Sequence, residues 1–368
     1  MTNFLFFSLA KHQSIYFQRL LNETELDGKV VVPAQMPWPR PWQLGQILSR
    51  IDWAHLVEEK CQERRVKNKY QGGLYRLLLR LELAWVGLRA HALLKREQPK
   101  TLAMWNGSHR YCQLLRALKP AECGTFFFEN GLLPDTTTLD AKGVNFHNSV
   151  PRDQAFYLNY PAATDDENGD VVLIPRKPRH TNLTPIELPP SYIFMPFQDD
   201  RDTQVRLFSP WVGNMRELFA LGERIAAQTG KTVVFKEHPS SREVYPDLHQ
   251  RTHERLLFAN GNATQQLIEQ SEFVITLNST VGLESLLLAK PVLTLGQAFF
   301  NVPGVVMHAD SADELLAAVK SFPNWPLDAG VKRNFLRYLA HDYCIKGGWQ
   351  KADAEHLQRV ARRMLGQG

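Results

Sequence analysis

Apolar and polar positions alternate along the chain in short apolar runs, each followed by a stretch of helical periodicity. Phe4 to Leu9 reads as a buried strand, His12 to Leu21 as the helix after it, and Lys29 to Val32 as a second strand. Leu74, Leu77, Leu78, Leu81, Trp85 and Leu88 recur at helical spacing with arginines opposite, which predicts an amphipathic helix. Leu102 to Trp105 and Gly124 to Phe128 are predicted strands that end in Asn106-Gly107-Ser108 and Glu129-Asn130-Gly131. Strands that alternate with helices and close in polar, glycine-containing loops indicate a parallel sheet. The segment Pro33 to Trp42, rich in proline and tryptophan, reads as a rigid connecting loop.

The pattern then starts again. Ala162 to Pro190 is polar and proline-rich, with Asp165 to Gly169 marking an exposed loop, and the domain boundary is placed there. After it come strand Tyr192 to Pro196, a helix near Val212 to Thr229, and strand Thr232 to Phe235. Strand Phe273 to Thr276, helix Gly282 to Ala289 and strand Val292 to Leu295 follow. The expected organisation is a Rossmann-like domain over 1–185, a second over 186–335, and a C-terminal helical segment over 336–368. From Glu314 onward the chain reads as helical except around Pro323 to Pro326 and Gly347-Gly348. Tandem units of this kind leave a cleft at the carboxyl ends of two sheets, where ligands bind.

Composition narrows the class. With 44% hydrophobic and 22% charged residues, the 368-residue chain has the makeup of a globular protein with more than one core. The net charge is only +5, yet Lys60 to Lys100 holds eleven Lys/Arg against three Glu. That stretch is either a solvated helix face or one drawn to an anionic surface, lipid head groups or acidic polysaccharide. Nucleic acid is not expected as a partner, since no nucleic-acid module accompanies the patch. Cys61, Cys112, Cys123 and Cys344 lie far apart, which excludes a disulfide framework and a cysteine zinc site. Met1 to Lys11 lacks the basic start and small-residue site of a signal peptide. Leu74 to Leu94 is the longest apolar stretch, but Arg76, Arg80, Glu82 and Arg89 interrupt it too often for a bilayer span. A cytoplasmic location, with peripheral contact to the inner membrane at most, is expected.

Three polar clusters follow strands in the second half. They are Gln198 to Gln204, Lys236-Glu237-His238-Pro239, and Asn278 to Glu284. Ser279 and Thr280 open a helix whose N-terminus can hold a phosphate, or they serve as an ordinary N-cap. Glu284, one turn in, can reach a ribose hydroxyl pair or face solvent. His238 can donate to a departing phosphate oxygen or make a structural hydrogen bond. Asp200 and Asp202 have the spacing of an Asp-x-Asp metal motif.

Gln198 with Asp202 four residues on, then Lys-x-His-Pro, then Thr-x-Asn-Ser-Thr with Gly-x-Glu and Lys-Pro, resembles the bacterial capsule β-Kdo transferases. A second stretch is similar to the same family: Glu129-Asn130-Gly131 with Pro134, Thr138-Leu139-Asp140, Gly143-Val144-Asn145, and Pro151-Arg152-Asp153 with Tyr157. The likeness covers roughly residues 100 to 305. Only two residues separate Gly131 from Pro134, one fewer than in the family pattern.

The resemblance implies a GT-B-like fold, two Rossmann-like domains facing each other across a cleft, and a retaining transfer of Kdo from CMP-β-Kdo to a glycan or glycolipid acceptor. It makes Asp202 the nucleophile, with Glu129 as acceptor base and His238 beside the leaving phosphate. Gln198, Lys236, Pro239, Asn278, Ser279, Thr280 and Glu284 form the donor site. No cofactor or metal is expected, because CMP presents one phosphodiester rather than a diphosphate. Two other readings stand beside this one: a transferase of similar fold with another donor, such as CMP-sialic acid or a UDP-sugar, and a non-catalytic polysaccharide-binding subunit.

Overall fold

A computed structural model describes residues 2–161, 183–241 and 243–367. Most of the expected linker, including Asp165 to Gly169, lies outside the described residues. The chain forms two compact α/β units, one of residues 1–149 and 343–368, the other of residues 150–342.

In the first unit, β1 (Phe4–Phe7), β2 (Gly28–Val31), β3 (Thr101–Trp105), β4 (Gly124–Asn130), β5 (Thr136–Asp140) and a two-residue strand at Ile345–Lys346 form one sheet. The order from one edge is β2, β1, β3, β4, β5, then Ile345–Lys346. The first four are parallel, as the alternation predicts. β5 instead runs antiparallel to β4, because the link of residues 131–135 is too short for a crossover helix and closes as a hairpin. Ile345–Lys346 adds another antiparallel edge, within a stretch that reads as helical apart from Gly347-Gly348. Period-two alternation divides the core. Phe4 and Phe6 pack with Tyr16, Phe17 and Leu357 on one face. Leu5 and Phe7 pack with Leu56, Leu83 and Leu115 on the other.

The helix Gly73–Glu97 leaves exposed most of the apolar positions whose spacing marks it as amphipathic. Of the six apolar residues at helical spacing, only Leu88 is buried; the core face is made by Leu79, Leu83, Val86, Leu93 and Leu94. This helix is apolar on two sides, and periodicity alone does not say which of them meets the sheet.

The second unit holds an all-parallel sheet. We number its strands β6 (Ile193–Pro196), β7 (Val233–Lys236), β8 (Leu256–Phe258), β9 (Phe273–Thr276), β10 (Val292–Thr294) and β11 (Met307–His308). Their order is β11-β10-β9-β6-β7-β8. Ile193, Val233, Phe235 and Ile275 face the helices Met215–Thr229 and Ala312–Ser321, while Phe194, Val234 and Val274 face Leu267 and Ile268. This near-continuous apolar content is what a sheet covered on both faces requires. Among the described residues no helix is long and apolar enough to cross a membrane.

Candidate active site

Because β6 lies between β7 and β9, the loops that leave these three strands at their carboxyl ends are neighbours. The three predicted clusters therefore share one edge of the second sheet. Gln198 and Asn278 are both buried there and bind one another: Gln198 Nε2 donates to Asn278 Oδ1 at 2.9 Å, and the Asn278 N–H donates to Gln198 Oε1 at 3.3 Å. Asn278 Nδ2 also donates to the carbonyls of Gln204 and Phe208 at 2.9 and 3.0 Å. These two amides thus tie the Asp202 loop to the Ser279 loop.

Asp202 is exposed and caps the helix Thr203–Phe208, its Oδ1 accepting from the Gln204 N–H at 2.9 Å. Asp200 is spent within its own unit: Oδ1 accepts from the Met215 N–H at 2.8 Å and Oδ2 from the Tyr245 hydroxyl at 3.3 Å. Burial pushes its carboxyl above the usual range. Lys236 Nζ donates to the carbonyls of Asn260 and Asn262 at 2.8 and 2.6 Å, and burial lowers its ammonium pKa. It holds β7 to the loop beyond β8. His238, half-buried, has Nδ1 3.1 Å from Ser240 Oγ, and Pro239 begins the turn that follows.

Ser279 N-caps the helix Thr280–Leu287, its Oγ accepting from the Val281 N–H at 3.2 Å. Thr280 is exposed beside it, and Glu284 lies one turn on, half-buried. Gly282 lets this helix approach the core, since a Cβ there would sit 2.7 Å from the Phe300 ring. The N-terminus of the helix is thereby held at the sheet edge, where its dipole favours an anion.

In the first unit Glu129 stands at the carboxyl end of β4. Its carboxylate accepts from Asn106 Nδ2 at 2.7 Å and from the Asn130 N–H at 2.9 Å. Gly131 is demanded by the hairpin that follows, because a Cβ would fall 1.8 Å from Thr136 Oγ1. Asp140, buried, gathers the N–H groups of Lys142, Gly143 and Ser149 and the hydroxyls of Ser149 and Tyr343. The Thr-Leu-Asp and Gly-Val-Asn pair is thus the knot that shapes this loop. Pro151 and Tyr157 belong to the second unit, where the Tyr157 hydroxyl donates to the Pro151 carbonyl at 2.7 Å and the ring packs on Phe335.

Two residues near Glu129 escape a reading by motif. Asn106, in the left-handed region at φ 59°, orients the carboxylate. Trp349 donates Nε1 to Asn130 Oδ1 at 2.8 Å and packs edge-on against Trp105, with ring centroids 4.6 Å apart. The Asn-Gly turn after β3 is a signal for the first; nothing in the sequence places the second, 219 residues from its partner.

A family model described as capsule polysaccharide biosynthesis protein matches residues 177–348. Protein FixF of Sinorhizobium fredii (strain NBRC 101917 / NGR234) is 34% identical over 261 residues, covering 70% of this chain and 63% of that protein. The capsule polysaccharide export protein KpsS of Escherichia coli is 23% identical, covering 48% of this chain and 62% of that protein. The chain therefore spans less than two thirds of the length of these two relatives. Among solved structures, KpsC, the β-Kdo 2,7 transferase of Thermosulfurimonas dismutans, matches with a TM-score of 0.54 at 12% identity, over 98% of this chain and 99% of that one. That likeness shows a shared GT-B-like fold.

Proposed function

We propose that the chain, whose residues 177–348 match the capsule polysaccharide biosynthesis protein family model, is a retaining glycosyltransferase that moves Kdo from CMP-β-Kdo to a glycan or glycolipid acceptor. The observation that carries the reading is the shared sheet edge, where Asp202, His238 and the Ser279 helix N-terminus leave three neighbouring strands. A carboxylate, a proton donor and an anion-holding helix end are the groups that a phosphate-activated acidic sugar requires.

In this scheme the helix N-terminus with Ser279 and Thr280 holds the cytidylate phosphate, and Glu284 takes the ribose hydroxyls. Gln198, Asn278, Lys236 and Pro239 give the donor loops their shape. The Asp202 carboxylate attacks the anomeric carbon as the bond to the phosphate oxygen breaks, and CMP leaves with the electron pair. His238 offsets the charge growing on that oxygen. The acceptor oxygen then displaces Asp202 while Glu129 takes the hydroxyl proton. The oxocarbenium-like transition state at a quaternary carbon needs a nearby anion more than a strong base. Asp200, with both oxygens engaged by Met215 and Tyr245, is not offered to a metal in this scheme, and transfer should survive EDTA.

The test is intact-protein mass spectrometry of Glu129→Gln with CMP-Kdo and candidate acceptors. Deprotonation of the acceptor slows more than donor cleavage, so one Kdo should accumulate on the chain and map to Asp202. A product of inverted configuration, or full activity in Asp202→Ala, would overturn the double displacement. CMP-Kdo left intact by a chain that still binds polysaccharide would favour the binding-subunit reading.

A further inference from the structure

Leu74, Leu77, Leu78, Leu81 and Trp85 form an exposed apolar stripe on the helix Gly73–Glu97, each between 46% and 65% accessible. At 3.6 residues per turn they lie on one side of the helix, away from the face that packs on the sheet. Trp38, 82% accessible, lies on the preceding loop and meets Trp85 edge-on with centroids 6.0 Å apart. That loop is fixed to the helix: Arg89 donates to the carbonyls of Met36 and Pro37 at 2.6 and 3.1 Å. Stripe and tryptophan pair are therefore a rigid surface, not a fraying end. A contiguous apolar patch of this kind marks a surface that meets something.

Charge says what it meets. Between residues 58 and 80 the chain carries seven Lys/Arg against three Glu. Arg76 and Arg65 share Glu58, and Lys60 and Lys67 share Glu63, while Lys69, in the link before the helix, and Arg80, on it, are exposed. Arg64 lies over the Tyr75 ring at 4.1 Å, just below Leu74 in the chain. A leucine stripe flanked by cations and ended by a tryptophan pair has the chemistry of an interfacial helix. Leucines enter the acyl boundary, indoles sit at head-group level, and cations contact anionic lipid.

We infer that the Leu74–Trp85 face of this helix, with Trp38, docks the protein flat on an anionic lipid bilayer. The inference stands apart from the proposed transfer chemistry. Its test uses the full chain with vesicles of phosphatidylcholine alone and of phosphatidylcholine mixed with phosphatidylglycerol. Wild type should co-sediment with the anionic vesicles and only weakly with the neutral ones, less so as salt rises. Leu77→Glu with Leu81→Glu should lower the partition roughly tenfold or more, by removing inserted apolar surface. Lys69→Glu with Arg80→Glu should lower it roughly tenfold on anionic vesicles alone. All four side chains are exposed, so the thermal midpoint and the proposed transfer of Kdo to a water-soluble acceptor should be unchanged in both variants. That readout keeps failure of the surface distinct from failure of the proposed activity. Wild type that ignores anionic vesicles, or binding that survives both pairs of changes, would overturn the inference. Self-association abolished by the leucine changes, without vesicle binding, would assign the face to a second copy and overturn it too.

Discussion

Gln198 and Asn278 join the carboxyl ends of β6 and β9 through two mutual hydrogen bonds, side chain to side chain at 2.9 Å and backbone to side chain at 3.3 Å. Both are buried, so removing either strands the other's amide away from water. Each single change to Ala should cost about 1–3 kcal/mol. The double change should cost less than the sum, by about 0.5 kcal/mol or more. Urea unfolding of the two single variants and the double variant measures this, and strict additivity would mean that the pair does not act as one tie.

Asp202 caps a helix and is the proposed nucleophile, and two substitutions tell these duties apart. Asn keeps an acceptor for the Gln204 N–H and so keeps the N-cap; Ala removes it. Asp202→Asn should stay within about 0.5 kcal/mol of wild type, whereas Asp202→Ala should lose about 1 kcal/mol. If the carboxylate is the nucleophile, both lose Kdo transfer by at least roughly a thousandfold. Transfer that follows stability, falling in Ala but not in Asn, would reduce Asp202 to a helix cap.

How far the sequence could be read depends on where the information sits. Phe273 to Thr276 was legible to the residue, because a short run of β-branched and aromatic residues between Glu272 and Asn278 has the composition and length of a buried strand. Met307–His308 and Ile345–Lys346 were not, since two residues carry no period. The antiparallel β5 hid behind an expectation of uniform alternation, although the short Gly131 to Asp135 link pointed to a hairpin. At the site, residue type and strand-end position marked Gln198 and Asn278 as important. Their mutual pairing, across 80 residues, arises only when β6 and β9 become neighbours. Helical period found the stripe from Leu74 to Trp85 but assigned it no orientation, for the helix has a second apolar face that wins the core.

His109 should make stability fall on acidification. It N-caps the helix Arg110–Leu118 through Nδ1, which accepts from the Tyr111 N–H at 3.2 Å. Burial, with the charges of Arg110 and Lys60, depresses its pKa from 6.5 to about 4. The unfolded chain binds the proton first, so the histidine's contribution is complete above pH 6.5 and is lost as pH falls towards 4. His109→Asn retains a cap acceptor and does not titrate. Urea midpoints measured across that window should slope for wild type and slope less for the variant; equal slopes would remove His109 as the cause.

Asn106 offers the sharpest test of the role given to Glu129. Its side chain donates to the Glu129 carboxylate at 2.7 Å, while its own backbone sits at φ 59°, a conformation that glycine adopts without strain. Asn106→Gly therefore removes that hydrogen bond, and with it the longer one from the Ser108 N–H to Asn106 Oδ1 at 3.3 Å, but keeps the backbone conformation and the Asn106 N–H bond to the Phe128 carbonyl at 2.8 Å. Asn106→Ala would confuse the two by adding backbone strain. A hydrogen bond to a charged group contributes about 1.5–3 kcal/mol, and losing it frees the carboxylate to rotate away from the acceptor proton. Transfer by Asn106→Gly should fall roughly tenfold to a hundredfold in kcat, following that energy. Hydrolysis of CMP-Kdo should fall much less, because water can reach the glycosyl intermediate without an oriented base. Unfolding midpoints should stay close to wild type. Equal losses in transfer and hydrolysis would mean that Asn106 and Glu129 serve donor cleavage instead, and an unchanged kcat would mean that Glu129 does not act as the base.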